Sequence, residues 1–182
     1  MQEFRKQTLE LKVGSPLDKD SFMGPVVSKD QYDKVLSCIE QAKSEGGKVT
    51  VGSEALQLSS ELSEGYYIPP TIIEDLTMCS DLWQKEIFGP VVTVTSFKYP
   101  ADAVKWANTS PYGLSASLWT QNLKRAHKLA AQIDVGTVWV NTWMKRDLRV
   151  PFGGYKQSGN GREGGIYGLK DFMEVKSISG LN

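Results

Sequence analysis

Glu86 and Phe88 stand two residues apart ahead of a Gly89-Pro90 turn, and both can do chemistry. An ionised carboxylate accepts hydrogen bonds at two oxygens, so it can bind both neighbouring hydroxyls of a ribose at once. An aromatic ring two positions later can pack on a flat heterocycle. The same pair also reads as a surface charge beside a core ring. A second candidate is Gly159-Asn160-Gly161-Arg162-Glu163-Gly164, which matches the dinucleotide spacing G-x-G-x-x-G letter for letter. That motif works when a strand precedes it, a helix opens on it, and an acid follows about 20 residues later. Here a loop precedes it and Gly164-Gly165 follows, so the context favours a turn needing positive φ over a phosphate cradle. Arg146, within Met144-Lys145-Arg146-Asp147-Leu148-Arg149, offers a rigid fork of donors that fits a carboxylate, or it pairs with Asp147 or another acid nearby. Cys38 falls on the inner face of an amphipathic helix, and Cys79 lies in a turn without a basic neighbour to lower its pKa. Neither reads as a nucleophile, so no residue of the chain is assigned a catalytic role. His127 is the sole histidine and cannot build a metal site alone.

These residues need elements to hold them. Ser28-Lys29-Asp30-Gln31 reads as a capping box, with the Ser hydroxyl and the Gln side chain serving orphan amides at a helix start. Tyr32, Val35, Leu36, Ile39 and Ala42 then form one helix face, stopped by Gly46-Gly47. Residues 48–51 read as a short strand, and the polar segment 53–65 as an exposed loop. Residues 66–73 look extended, and Pro69-Pro70 argues for an edge position because neither can donate to a ladder. Val91 to Phe97 is β-branched and near-continuously apolar, as in a strand covered on both faces. A helix over 101–108, a strand over 114–119, a helix whose inner stripe is Leu123, Ala126, Ala130 and Ile133, and a strand over 137–140 complete a β-α-β-α-β run. That order predicts an α/β fold with a parallel sheet and right-handed crossovers. Residues 141–168 read as Gly-rich loop, and Phe172 to Ser179 as a terminal strand.

The chain has 182 residues, is 40% hydrophobic, and carries 21 basic and 21 acidic side chains. Its size suits one compact domain that buries about 70% of the unfolded surface. Zero net charge offers no attraction to nucleic acid or to an anionic membrane. No apolar run approaches the roughly 18 residues of a membrane span. Met1-Gln2-Glu3-Phe4-Arg5-Lys6 lacks the apolar core of a secretion signal, and two cysteines build no disulfide framework. The expectation is a cytoplasmic protein.

Two motifs carry a family resemblance: Glu86-Ile87-Phe88-Gly89-Pro90, and Pro151-Phe152-Gly153-Gly154-Tyr155-Lys156 running into Ser158-Gly159-Asn160-Gly161-Arg162-Glu163. Together they resemble the C-terminal part of the NAD(P)-dependent aldehyde dehydrogenases. The likeness extends from Leu11-Lys12-Val13-Gly14-Ser15-Pro16-Leu17 to Phe172-Met173-Glu174-Val175-Lys176-Ser177-Ile178. It implies that residues 1–168 form the later part of a catalytic domain, and residues 169–182 a strand for subunit assembly. It implies that Glu86 holds the nicotinamide ribose of NAD, that Phe88 packs beside the nicotinamide, and that the glycine run is a structural loop. The choice between NAD and NADP rests on an acid outside this stretch. Residues 136–141 and 151–154 resemble the family's substrate-tunnel wall, which makes Arg146 and Phe152 substrate residues. Many members carry an apolar or aromatic residue at the position of Arg146. The pattern Asn-x-Trp-x-x-Arg-Asp-Leu-x-x-Pro-Phe-Gly-Gly is similar to the dehydrogenases of 2-hydroxymuconate and 2-aminomuconate semialdehydes, aldehydes that also carry a carboxylate. The family's nucleophilic Cys, its general-base Glu and its oxyanion Asn have no counterpart here. The expectation is therefore part of an enzyme, inactive alone, whose parent oxidises a carboxylated semialdehyde and assembles as a homo-oligomer. Two other readings stand beside it: a short non-catalytic module that joins full-length subunits, and an unrelated α/β domain that binds phosphate through its glycines.

Overall fold

The computed structural model describes residues 1–181, which divide into two compact units, residues 1–96 and 97–181. The first is built around helix α2 (Lys29–Ser44). The Ser28 hydroxyl accepts from the Gln31 amide, as the capping box requires. The Gln31 side chain does not return to the helix start but leaves for the segment before strand β3, so only half of the expected box forms. Val35, Cys38, Ile39 and Ala42 make the buried stripe of α2; Leu36, expected inside, is exposed. Strands β1 (Lys48–Val51), β2 (Thr71–Glu74) and β3 (Val91–Val94) form a three-stranded sheet in that order. β1 runs antiparallel to β2, while β2 and β3 are parallel and pair Thr71 with Val91 through Glu74 with Val94.

That order corrects two expectations. The prolines precede β2 and take no part in its ladder, so β2 is central, with Thr71, Ile72 and Ile73 buried. β3 instead lies at an edge of this sheet, as β1 does at the other, and Val92 is exposed. A β-branched run reports strand propensity but not which neighbour covers it. The core joins α2 to Ile68, Ile73, Leu76 and Leu82, with Ile87 and Val91 packed against it. A short helix α1 (Gln2–Leu9) is tied on by Arg5, whose guanidinium donates to the Glu74 carboxylate at 2.6 Å.

The second unit contains α3 (Pro100–Thr109), β4 (Tyr112–Gly113), β5 (Ser115–Leu118), α4 (Leu123–Ala130), β6 (Thr137–Val140), β7 (Tyr155–Lys156) and α5 (Gly165–Asp171). β5 and β6 are parallel, registered Ser115 to Thr137, with α4 between them in sequence, as the periodicity predicts. The expected single parallel sheet is otherwise not formed: β3 pairs with β2, and β5 with β6, in separate sheets. Ala126 is buried on α4, whereas Leu123 at its first turn is exposed. Helix α5 takes the end of the stretch read as loop and stops just before Phe172, and the strand expected over 172–179 does not form, because no neighbouring strand among the described residues pairs with it. Residues 173–181 are exposed and pair with no strand among the described residues. No helix among the described residues is long and apolar enough to cross a membrane.

Candidate functional site

Ile87 anchors the segment 86–90. Its side chain packs on Val35, Ile39 and Ile68, which forces its neighbours Glu86 and Phe88 outward. Helix α2 then holds the backbone from behind. The Gln31 amide donates to the carbonyls of Ile87 and Phe88 at 2.9 and 2.8 Å, and the Lys34 ammonium to that of Glu86 at 3.1 Å. Pro90 completes the frame by accepting from the Thr71 amide at 2.8 Å. Phe88 sits in the left-handed region at φ 58°, a conformation costing a non-glycine residue on the order of 1–3 kcal/mol. The bonds to its carbonyl and that of Ile87 offset this cost. Gly89 follows against Val35, whose Cγ2 would lie 2.6 Å from an added Cβ. The outcome is a fixed turn with a free carboxylate and a ring 69% exposed. Among the described residues no side chain bonds to that carboxylate, so both its oxygens are open to hydroxyls. This arrangement fits a ribose and a flat ring.

The second group lies on loops of the other unit. Asn141, at φ 54°, ends β6 and clamps Thr120, accepting from its amide and donating to its carbonyl at 2.8 and 2.9 Å. The indole N–H of buried Trp139 donates to the Lys145 carbonyl, fixing the approach to Arg146. The Arg146 guanidinium lies 4.2 Å from the centroid of the Phe152 ring and donates one nitrogen, Nη2, to the Glu163 carboxylate at 2.5 Å. Phe152 and Glu163 are joined by reciprocal backbone hydrogen bonds, both 2.8 Å. The structure thus brings the two expected substrate residues together, and adds Glu163. Asp147 does not pair with Arg146. It pairs with Arg149, whose side chain and then backbone hold its carboxyl below the ordinary range; the guanidinium is pushed up in turn.

The glycine run does not make a phosphate cradle. Helix α5 does open on it, at Gly165, which the sequence context did not suggest. The turn is filled, however: the Asp171 carboxylate accepts from the Arg162 amide at 2.7 Å and would lie 2.3 Å from a Cβ on Gly161. A carboxylate in that place repels an anion. Gly161 and Gly164 have positive φ, as the turn reading expects. Cys38 is buried among Ala42, Ile73, Leu76 and Leu82, Cys79 is exposed, and both thiols are free. His127 lies exposed on α4. No cluster of His, Cys, Asp and Glu suited to a metal occurs among the described residues.

A family model described as "Aldehyde dehydrogenase family" matches residues 1–178. The chain belongs to the aldehyde dehydrogenase family. Its curated relatives include the 2-hydroxymuconic semialdehyde dehydrogenase of Pseudomonas putida, 42% identical over 168 residues, covering 92% of this chain and 35% of the relative. Among solved structures, the NAD+ complex of an aldehyde dehydrogenase from Bacillus cereus superposes with a TM-score of 0.87 at 43% identity, covering 97% of this chain and 35% of that one. A betaine aldehyde dehydrogenase from Staphylococcus aureus, also in complex with NAD+, gives 0.86 at 36% identity and covers 94% and 34%. The chain therefore spans about a third of the length of the aldehyde dehydrogenases it matches.

Gln31, Lys34 and Glu163 escaped the sequence reading as site residues. Gln31 carried a signal, as the last letter of the capping box, but that signal pointed to the wrong partner. Glu163 lay inside the glycine motif, and nothing in its spacing from Arg146 marks a pair 17 residues apart.

Proposed function

We propose that this chain is the C-terminal part of the catalytic domain of an NAD-dependent aldehyde dehydrogenase that converts a carboxylated semialdehyde to the acid. The observation that carries the cofactor half is the segment 86–90, where a helix-locked turn projects an unpaired carboxylate and an exposed ring. Glu86 accepts the two ribose hydroxyls and Phe88 covers one side of the nicotinamide. NAD, when bound, takes up the hydride from the aldehyde carbon. The nucleophile and general base come from outside this segment: Cys38 is packed in the core, and Cys79 has no base bonded to it among the described residues. Alone, the chain oxidises no aldehyde.

Charge selects the substrate class. Relatives of comparable identity are named for a semialdehyde that carries a carboxylate and for betaine aldehyde, a quaternary cation. A guanidinium stacked on Phe152 attracts the former and repels the latter. The exposed segment 173–181, with Val175 and Ile178 uncovered, is suited to pairing with a second subunit. Free thiols accord with a reducing cytoplasm.

The test is Arg146→Leu in the full-length enzyme carrying this segment, assayed with succinic semialdehyde and with propanal. Loss of one charge-assisted contact is expected to cost the carboxylated aldehyde about 1.5–3 kcal/mol in kcat/KM. Equal losses on both aldehydes would reject the carboxylate reading.

A further inference from the structure

Arg146 touches Glu163 through Nη2 alone, while Phe152 covers one face of its guanidinium. Those contacts leave Nε, Nη1 and the second N–H of Nη2 without a partner among the described residues, so one two-donor edge, Nη2 with either Nε or Nη1, remains for a second carboxylate. The grip is itself supported. Glu163 cannot drift from Phe152, because their backbones exchange two hydrogen bonds, and Arg162 beside it donates to the Gly154 carbonyl at 3.0 Å. An arginine on a flexible stem otherwise samples many rotamers, and ordering it on binding weakens affinity.

We propose that Glu163 is a positioning residue for substrate selection: it pins Arg146 against Phe152 so that the free edge of the guanidinium is already oriented toward a carboxylate. The proposal rests on the semialdehyde reading above. Removing Glu163 also removes a negative charge from the neighbourhood, which favours anions. The two effects act on KM in opposite directions, and the loss of order is expected to prevail because the Arg146 charge that attracts the anion is kept.

The experiment uses the full-length enzyme with Glu163→Ala, Glu163→Gln, Arg146→Leu and the Glu163→Ala/Arg146→Leu double variant. Each is assayed with succinic semialdehyde and with propanal. Glu163→Ala should raise KM for succinic semialdehyde by about two- to ten-fold, with kcat and the propanal KM little moved. Glu163→Gln keeps an acceptor oxygen and should fall between Glu163→Ala and the parent. In the Arg146→Leu background the Glu163→Ala effect should vanish, because Glu163 acts only through that arginine. A rise shared by propanal, an effect that persists without Arg146, or a fall in KM would overturn the proposal. If Arg146→Leu is selective and Glu163→Ala is silent, the positioning role fails while the semialdehyde reading survives. If Arg146→Leu is unselective, both fail.

Discussion

The segment 86–90 and the Arg146 cluster present functional side chains by opposite means. In the first, one helix does the holding: α2 buries Ile87 and bonds three consecutive carbonyls, while Glu86 and Phe88 stay uncommitted. In the second, only the opening of α5 meets the loop, where the Gly165 amide donates to the Leu148 carbonyl at 3.3 Å; the functional side chain is itself engaged, by a ring on one side and an acid on the other. The first design suits a ligand that does not vary. The second can be retuned by changing a loop residue without disturbing a core.

The comparison breaks most severely at Gly136, where the second region depends on backbone approach. A Cβ there would fall 1.6 Å from the Gly153 carbonyl oxygen, and no side-chain rotation relieves that. Gly136→Ala should destabilise the chain by about 3 kcal/mol or more, read as a lowered urea midpoint. An unfolding free energy within about 0.5 kcal/mol of the parent (the scatter of neutral surface changes) would show that the loop is not held this way.

A smaller effect tests the first region. Gln31→Ala removes two bonds to carbonyls and should cost about 1–2 kcal/mol of stability at roughly 1 kcal/mol per bond. In the full-length enzyme it should also weaken NAD binding, with KM for the aldehyde unaffected. Unchanged NAD affinity by calorimetry would mean that Ile87 alone sets the turn.

Acid should separate the two regions more gently. The Asp147 carboxyl is held below its ordinary value near 3.8 by Arg149, so this link contributes above that value and is lost as pH falls through the lower folded value. The backbone frame of segment 86–90 is made by an amide and an ammonium and contains no carboxylate. Hydrogen exchange at the Arg149 amide, which donates to Asp147, should accelerate relative to its intrinsic rate as pH falls from 3.8 through the lower folded value, with the Val91 amide unaffected. Parallel loss at both would point to global unfolding instead.

Much of this was legible in the residues. The capping serine, the α2 stripe apart from Leu36, and the β5-α4-β6 order apart from Leu123's burial follow from local periodicity, and the structure reproduces them. Strand pairing was harder, because β propensity is a property of a segment while the edge is a property of its neighbours. Hence Pro69-Pro70 suggested an edge for what is the central strand. The functional segment 86–90 was readable because its parts are contiguous. The Arg146–Glu163 pair was not, since a bond across 17 residues leaves no trace in spacing. Gln31 misled for a related reason: a side chain with a local partner available found a better one 56 residues away.

The left-handed Phe88 has a consequence for anyone redesigning this protein. Judged by backbone comfort alone, position 88 calls for glycine or asparagine, and an exposed ring calls for a polar replacement. A procedure that optimises solubility and local geometry would therefore discard Phe88 among its first choices. The residue it removes is the one proposed to meet the cofactor. Any stabilised version of this chain should keep position 88 fixed, and seek its gains on α1, α4 and the loop 53–65 instead.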